Sequence, residues 1–82
     1  MITVRYFAAA KDAVGVAVEG VEFTVEFAGT VAGVRAALLA KHPQLATVLK
    51  QSRLAVNQKF AKDEDDVPDG AEVAVIPPVG GG

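Results

Sequence analysis

Apolar and polar residues alternate in two early stretches of the chain. The first is ITVRYF at residues 2–7, and the second is VEFTVEF at residues 21–27, where the alternation is clearest. A period of two is typical of a strand with one buried face. An earlier start of the second strand, at Val16, is an alternative. The two runs predict a hairpin, and the connection between them, residues 8–14, has room for a short turn.

The pattern becomes helical after Thr30. Apolar residues recur at spacings of three and four, with alanines between them, at Val31, Val34 and Leu38. Thr30 is a suitable N-cap for this helix, and Arg35 is expected to point outward. The helix should end near His42, because Pro43 disfavours helical geometry at the residue before it.

Three further extended segments follow the helix. After a short turn at Leu45–Leu49, we predict strands at Leu54–Val56, Lys59–Ala61 and Glu72–Ile76. Pro77 ends the last strand because it cannot donate a ladder hydrogen bond. The order is strand, strand, helix, strand, short strand, strand. In so short a chain this order predicts an α+β protein with the β-grasp fold, a mixed sheet of about five strands with one main helix packed across one face.

Length and composition indicate one small folded domain. The chain has 82 residues, of which 51% are hydrophobic and 22% charged, so it has enough apolar residues for a single core. It has no cysteine, which excludes disulfides, thiolate metal sites and cysteine nucleophiles. The formal net charge of -2 gives no electrostatic reason to expect nucleic acid or an anionic membrane as a partner. We therefore expect protein partners.

Other features of the chain carry no chemistry of their own. Arg5 interrupts the apolar residues at the N-terminus, so neither a secretion signal nor a membrane span is predicted there, and we expect a cytoplasmic protein. His42 has no second histidine or cysteine at ligand spacing, so we interpret it as a solvated helix end and expect no metal site. The acidic run KDEDD, at residues 62–66, is interpreted as a solvated turn.

The chain ends with AVIPPVGGG, a stretch that is poorly suited to core packing. Glycine brings no side chain and loses much conformational freedom on ordering. Pro77 and Pro78 hold the approach extended and prevent the tail from adding to the sheet. We expect residues 1–78 to form the folded domain and residues 79–82 an extended, flexible tail. Such a tail reaches on the order of 13 Å at about 3.3 Å per residue, which suits insertion into a neighbouring protein.

Three motifs resemble a known family. They are RYFA with a following K and VG at residues 5–15, AVNQ at residues 55–58 and, most specifically, DGAEVAVIPPVGGG at residues 69–82. In this order, over nearly the full length, they resemble the ubiquitin-like sulfur carriers, and the small subunits of molybdopterin synthase are the most similar group. The resemblance therefore implies the same β-grasp fold as the order of elements.

The resemblance also implies a function for the C-terminus. An adenylyltransferase of the ubiquitin-activating type would use ATP to adenylate the carboxylate of Gly82, and a sulfur donor protein would supply the sulfur of a thiocarboxylate. The large catalytic subunit of molybdopterin synthase would then use that sulfur to form the dithiolene of molybdopterin. Gly81 completes the diglycine. The chain itself would be a sulfur-donating subunit, with no independent active site and no bound cofactor.

The chemistry of a terminal carboxylate is consistent with this scheme. Its pKa of about 3.5 makes it an anion at neutral pH and a poor electrophile. It must be activated before sulfur can enter, and adenylation supplies the leaving group. Glycine lets the backbone enter a narrow site without a Cβ clash.

The folded body must contribute affinity, because each ordered tail residue opposes binding by roughly 1–2 kcal/mol. Strand parity places Phe7 with Arg5, and Ile76 with Glu72, on solvated faces. If the first and last strands are neighbours, an exposed apolar patch results, which Phe60 joins. The predicted partner-binding residues are Phe7, Phe60, Ile76, Pro77, Pro78, Val79 and Gly80, with polar contacts at the rim from Arg5, Lys11 and Arg53.

Several alternatives stay open at the level of sequence. A bulge in either strand would shift the parity and place Phe7 and Ile76 in the core. The sulfur acceptor could instead belong to thiamine synthesis or tRNA thiolation. A ubiquitin-like modifier joined to target lysines through Gly82 would need the same activation step, and a plain interaction module would need none.

Overall fold

The computed structural model describes residues 1–22 and 29–78. These residues form a sheet covered on one face by helices, and within them no helix has the length and apolarity needed to cross a membrane. In chain order the elements are β1 (Ile2–Tyr6), α1 (Ala8–Val14), β2 (Val18–Val21), α2 (Val31–Lys41), a 3₁₀ turn (Pro43–Leu45), α3 (Ala46–Gln51), β3 (Arg53–Val56), β4 (Lys59–Ala61) and β5 (Glu72–Ile76).

The sheet has five strands in the order β2-β1-β5-β3-β4. The first and last strands, β1 and β5, are parallel neighbours at its centre, and the other pairs are antiparallel. This mixed sheet with helices on one face confirms the predicted α+β, β-grasp architecture. Because β1 and β5 run parallel, Pro77, which follows β5, lies beside Phe7 at the end of β1.

The core lies between the sheet and the helices. Burial alternates along β1 and β5, as expected for strands that have a single covered face. From the helical layer, α2 contributes Val31, Val34 and Leu38, and the segment after it contributes Leu45 and Leu49. The inward side chains of the sheet that pack against them include Ile2, Val4, Tyr6, Leu54, Val73 and Val75.

The prediction for α2 is confirmed at both ends. The Thr30 hydroxyl oxygen accepts a hydrogen bond from the Gly33 amide at 3.1 Å, and the helix ends at Lys41, one residue before His42. The outward orientation predicted for Arg35 is wrong. Its side chain is only 25% exposed and donates hydrogen bonds to the carbonyls of Leu49 and Ser52.

The connection after β1 contains more regular structure than the short turn considered from the sequence. Residues 8–14 form the seven-residue helix α1, which ends at Gly15 in the left-handed conformation. The predicted turn at Leu45–Leu49 likewise belongs to a 3₁₀ turn and helix α3. Both segments are rich in alanine or short, so they give little apolar periodicity.

The second strand starts earlier than its clearest alternating residues. It begins at Val18 and ends at Val21, which pairs with Ile2, so the antiparallel pairing of the first two strands is confirmed. Glu22 already lies beyond the strand. The rest of the run predicted as a strand, residues 23–27, lies outside the described residues.

Candidate functional site: an exposed face at the root of the C-terminal tail

The register of the sheet aligns one side chain from each of its five strands on the face opposite the helices. Read across the sheet, the aligned residues are Val18, Arg5, Ala74, Ala55 and Phe60. Paired residues of neighbouring strands project to the same face, so these side chains form a row. We call the face that carries this row the open face, because the helices cover only the other one.

A shallow depression of about 320 Å³ lies at the centre of the open face. Its floor is made by two small residues, Ala55 and Ala74, and its apolar walls are higher on both sides. Phe7 is 47% exposed and Phe60 is 56% exposed, although both are large apolar residues. We call this depression the bowl, and its lining consists of Arg5, Phe7, Ala55, Gln58, Phe60, Glu72, Ala74 and Ile76.

Two arginines contribute the positive charge around the bowl. Arg5 pairs with Glu72 at 3.0 Å, so its charge is balanced within the face. The guanidinium of Arg53 lies over the ring of Phe60, 3.8 Å from the ring centre. Arg53 also pairs with Ile76 across the β3–β5 ladder, which places it beside the apolar wall of the bowl.

The approach to the C-terminal tail starts at the edge of the bowl. Pro77 is buried, whereas Pro78 is exposed. A second apolar cavity of about 330 Å³ is lined by Phe7, Ala8, Ile76 and Pro77. The Phe7 amide donates a hydrogen bond to the carbonyl of Val75 at 3.3 Å, which fixes the end of β1 against the end of β5. The chain therefore leaves the sheet next to the exposed aromatic residues.

The predicted site residues are placed by the structure as follows. Phe7, Phe60 and Ile76 lie together on the open face, and the β1–β5 register is continuous, so no bulge moves Phe7 or Ile76 into the core. Lys11 is an exposed residue of α1 and does not line the bowl. Val79, Gly80, Gly81 and Gly82 lie outside the described residues. That these residues bind a partner stays a prediction.

Sequence reasoning missed the small residues of the bowl. The sequence does not indicate a role for Ala55 or Ala74, because alanine is common and neither residue is part of a polar motif. Their role comes from the register that sets them side by side between larger neighbours. The parity of β5 would have placed Ala74 on the exposed face, but only tertiary structure identifies its neighbours.

A cluster of polar side chains lies at the other face of the sheet. Glu19 accepts hydrogen bonds from Tyr6 and pairs with Lys41 and His42. Burial opposes ionisation of Glu19, but the hydrogen bonds from Tyr6, His42 and Lys41 outweigh it and lower the pKa of this carboxyl. Burial, and then the hydrogen bond to Glu19, raise the pKa of the Tyr6 phenol.

His42 is therefore not the solvated helix end that we expected from the sequence. Its side chain is 16% exposed, and its ring packs edge-on against the Tyr6 ring with centroids 6.0 Å apart. In the part of the chain that the structure describes, no group of three or more metal-ligating side chains is assembled. The cluster ties β1, β2 and α2 together, and it does not reach the open face.

The fold and the exposed face define a ubiquitin-like β-grasp protein. The match to a family model narrows this class: the ThiS family model matches residues 4–82, and the chain belongs to the ThiS family. The sulfur carrier subunit of molybdopterin synthase from Chlamydomonas reinhardtii is 35% identical over 83 residues, which cover 99% of this chain and 98% of that protein.

Solved structures agree with this assignment of the fold. The crystal structure of SAMP1 from Haloferax volcanii matches with a TM-score of 0.82 and 25% identity, covering 99% of this chain and 98% of that one. The complex of subunits 1 and 2 of molybdopterin-converting factor from Helicobacter pylori 26695 contains a chain that matches with a TM-score of 0.69 and 21% identity, covering 99% of this chain and 97% of that one.

Proposed function

We propose that this protein is a sulfur carrier that donates sulfur for dithiolene formation in molybdopterin, as the small subunit of a molybdopterin synthase. The observation that carries the proposal is the position of the exposed bowl at the root of a diglycine tail, in a chain of the ThiS family. The relative from Chlamydomonas reinhardtii, which bears the name of that subunit, matches over almost its whole length.

In this proposal the tail and the folded body have separate tasks. The tail, residues 79–82, enters the active sites of other proteins, and its glycines allow close approach of the backbone. Ordering four residues there opposes binding by several kcal/mol at roughly 1–2 kcal/mol each. The open face offsets this cost, because burial of apolar area contributes about 25 cal/mol per Å².

The reacting group is the carboxylate of Gly82, with Gly81 preceding it. One carboxylate oxygen attacks the α-phosphate of ATP, pyrophosphate leaves, and an acyl adenylate forms on the chain. Hydrosulfide released from the sulfur donor protein then attacks the acyl carbon and displaces AMP. The product is a thiocarboxylate, an ionised and soft nucleophile that can be passed to the pyranopterin substrate.

The proposed partners follow from these steps. They are an adenylyltransferase of the ubiquitin-activating type that uses ATP, a sulfur donor protein, and the large catalytic subunit of the synthase. The neighbour from Helicobacter pylori was solved as a complex of two subunits, which supports a second subunit here. We place these encounters in the cytoplasm, and we propose that Phe7, Phe60 and Ile76 contact each partner.

The proposal is tested by intact mass spectrometry. The protein is incubated with its adenylyltransferase, ATP and sulfide, and we expect replacement of one terminal oxygen by sulfur. A variant that lacks Gly81 and Gly82 is the matched control and should gain no sulfur. The protein that carries the thiocarboxylate is then mixed with the large subunit and the cyclic pyranopterin monophosphate. This mixture should yield molybdopterin. Synthesis supported by the truncated variant would contradict the proposal.

A second candidate function is protein modification through Gly82. It is favoured by the structural match to SAMP1 from Haloferax volcanii. The full name of that protein is small archaeal modifier protein 1. Both functions begin with the same adenylate. Peptides that carry the C-terminus of this chain on a lysine, recovered from cells after proteolysis, would favour the modifier.

A further inference from the structure

Arg53 differs from the other charged residues of the open face. Arg5 and Glu72 neutralise each other at 3.0 Å. Arg53 forms no ion pair within residues 1–22 and 29–78, and its guanidinium rests on the ring of Phe60. The described part of this face therefore has a net positive charge, whereas the whole chain has a formal charge of -2.

The stacking on Phe60 fixes the guanidinium without using its hydrogen-bond donors. A cation above an aromatic ring is attracted to the face of the ring, and this attraction uses the charge of the guanidinium and none of its N–H groups. A planar fork of donors held in one orientation matches a carboxylate, which can accept two parallel hydrogen bonds. Arg53 is thus arranged to bind an acidic group. No acidic side chain in the described part of the chain occupies that position.

The bowl next to Arg53 has the size and lining of a pocket for one apolar anchor. It has a volume of about 320 Å³, and its floor of Ala55 and Ala74 is lower than the aromatic residues around it. Phe7 directly follows β1 and Phe60 lies on β4, and these two strands are three strand spacings apart, or about 14 Å at about 4.8 Å per spacing. Interfaces commonly take most of their binding energy from a large side chain buried in such a pocket.

We propose that the partner inserts one large apolar side chain into the bowl and binds Arg53 through a carboxylate next to that side chain. The inference rests on the proposed function, because it describes how the large synthase subunit recognises this chain. Charge complementarity selects the acidic neighbour, since the unpaired positive charge lies beside the apolar wall formed by Ile76 and Phe60. The carboxylate would discriminate between partners that present the same apolar anchor.

The first test removes the charge of Arg53 and keeps its length. Binding of Arg53→Met to the purified large subunit is measured by calorimetry at several salt concentrations. We expect the Kd to rise about tenfold or more, which corresponds to a lost hydrogen bond to a charged group, and the salt dependence of the Kd to become weaker. Arg53→Lys keeps the charge without the planar fork and should show a smaller loss with the salt dependence retained.

The matched control is Lys59→Gln. Lys59 is adjacent to Phe60 in β4, and strand alternation directs its side chain to the other face, so the same unit of charge is removed away from Arg53. We expect an unchanged Kd. Equal losses for Arg53→Met and Lys59→Gln would mean that only net charge matters, and an unchanged Kd for Arg53→Met would exclude the ion pair. Either result overturns the inference.

The second test fills the bowl. Ala74→Leu adds apolar volume to the floor and should weaken binding at least tenfold, because the anchor no longer fits. Thr3→Leu adds a similar side chain on the same face outside the bowl and should leave the Kd within about twofold. Thermal unfolding of both variants shows whether they are folded. If the folded Ala74→Leu variant binds as tightly as the unmodified protein, the inference that a partner side chain enters the bowl is wrong.

These outcomes are separable from failure of the proposed function. Sulfur gain at Gly82 and binding of the large subunit are measured on the same unmodified protein. If that protein gains sulfur and binds but Arg53→Met binds equally well, the inference is wrong and the function stands. If the unmodified protein neither gains sulfur nor binds, both are wrong.

Discussion

Asn57 and Gln58 form the two-residue turn between β3 and β4 with positive φ angles of 49° and 72°. Two left-handed residues are typical of a type I′ turn, which matches the twist of a hairpin. Asn57 suits this position. Its backbone amide donates to the Glu72 carbonyl at 2.8 Å, and its side-chain oxygen accepts from the backbone amide of Glu72 at 2.9 Å. The side chain of Gln58 makes no comparable bond within the described residues.

Gln58→Gly should therefore stabilise the protein. A side chain with a Cβ destabilises the left-handed conformation by roughly 1–2 kcal/mol, and glycine removes this penalty from the folded state. Glycine also gives the unfolded chain more freedom, which offsets about 0.4–1 kcal/mol of the gain. We expect the free energy of unfolding, measured with urea, to rise by up to about 1 kcal/mol. Gln58→Ala removes the same side chain but keeps a Cβ, so it should show no gain. A gain of equal size in both variants would contradict the explanation.

Helix α2 shows how one side chain connects several elements. Arg35 projects from this helix and donates to the Leu49 carbonyl at 2.6 Å and to the Ser52 carbonyl at 2.8 Å. It also pairs with Asp63 at 3.0 Å. The two carbonyls lie at the end of α3, where helix carbonyls lack their usual intrahelical partners, and the Leu49 carbonyl also accepts from the Ser52 amide at 3.2 Å. Arg35 gives each of these carbonyls a charged donor, so it is a structural residue of the helical layer.

Arg35→Ala should lower the free energy of unfolding by about 2 kcal/mol, because it removes two hydrogen bonds from a charged donor and leaves the Leu49 carbonyl with only the Ser52 amide. Arg35→Lys should cost less, since a lysine keeps the charge but presents a single point of contact. Asp63→Asn is the control: its side chain is 64% exposed, so loss of that ion pair should cost below about 0.5 kcal/mol. Urea titrations of the three variants check the order. A larger effect of Asp63→Asn than of Arg35→Ala would refute it.

Across the molecule, the cluster around Glu19 joins three elements that are far apart in sequence. Tyr6 comes from β1, Glu19 from β2, and Lys41 and His42 from the end of α2. The side chain of Glu19 is 17% exposed, so its charge depends on these partners. Because the folded state lowers the pKa of Glu19, ionised Glu19 stabilises the fold at neutral pH.

The sign of the pH dependence follows from that shift. The stability due to Glu19 is present above its unfolded pKa of about 4.5 and is lost as the pH falls through the lower folded pKa. Glu19→Gln should therefore cost about 1–2 kcal/mol at pH 7 and progressively less in acid. Glu22→Gln removes the same charge from an exposed position and should cost less than about 0.5 kcal/mol at pH 7. Urea titrations across the acid range check this, and a difference for Glu19→Gln that does not shrink with falling pH would contradict it.

Much of the architecture and part of the site were predictable from local patterns. Alternation located β1 and β5, the polar turn residues Asn57 and Gln58 separated β3 from β4, and Thr30 and Pro43 gave the limits of α2. Helix α1 was missed because only Ala10 of its residues is fully buried, so its sequence has almost no apolar stripe. Strand parity also placed Phe7 and Ile76 on the exposed face.

The sequence by itself determined the strand and helix periods, the lack of cysteine and the ending PPVGGG. Each of these is a property of neighbouring residues or of composition, so no fold is needed to read it. Tertiary structure decided the alanine floor of the bowl, the stack of Arg53 on Phe60, and the buried settings of Arg35 and His42. These features depend on which residues the sheet register and helix packing bring together. Residues that are distant in the chain come into contact only when the core forms, and no local pattern specifies which of them will be neighbours.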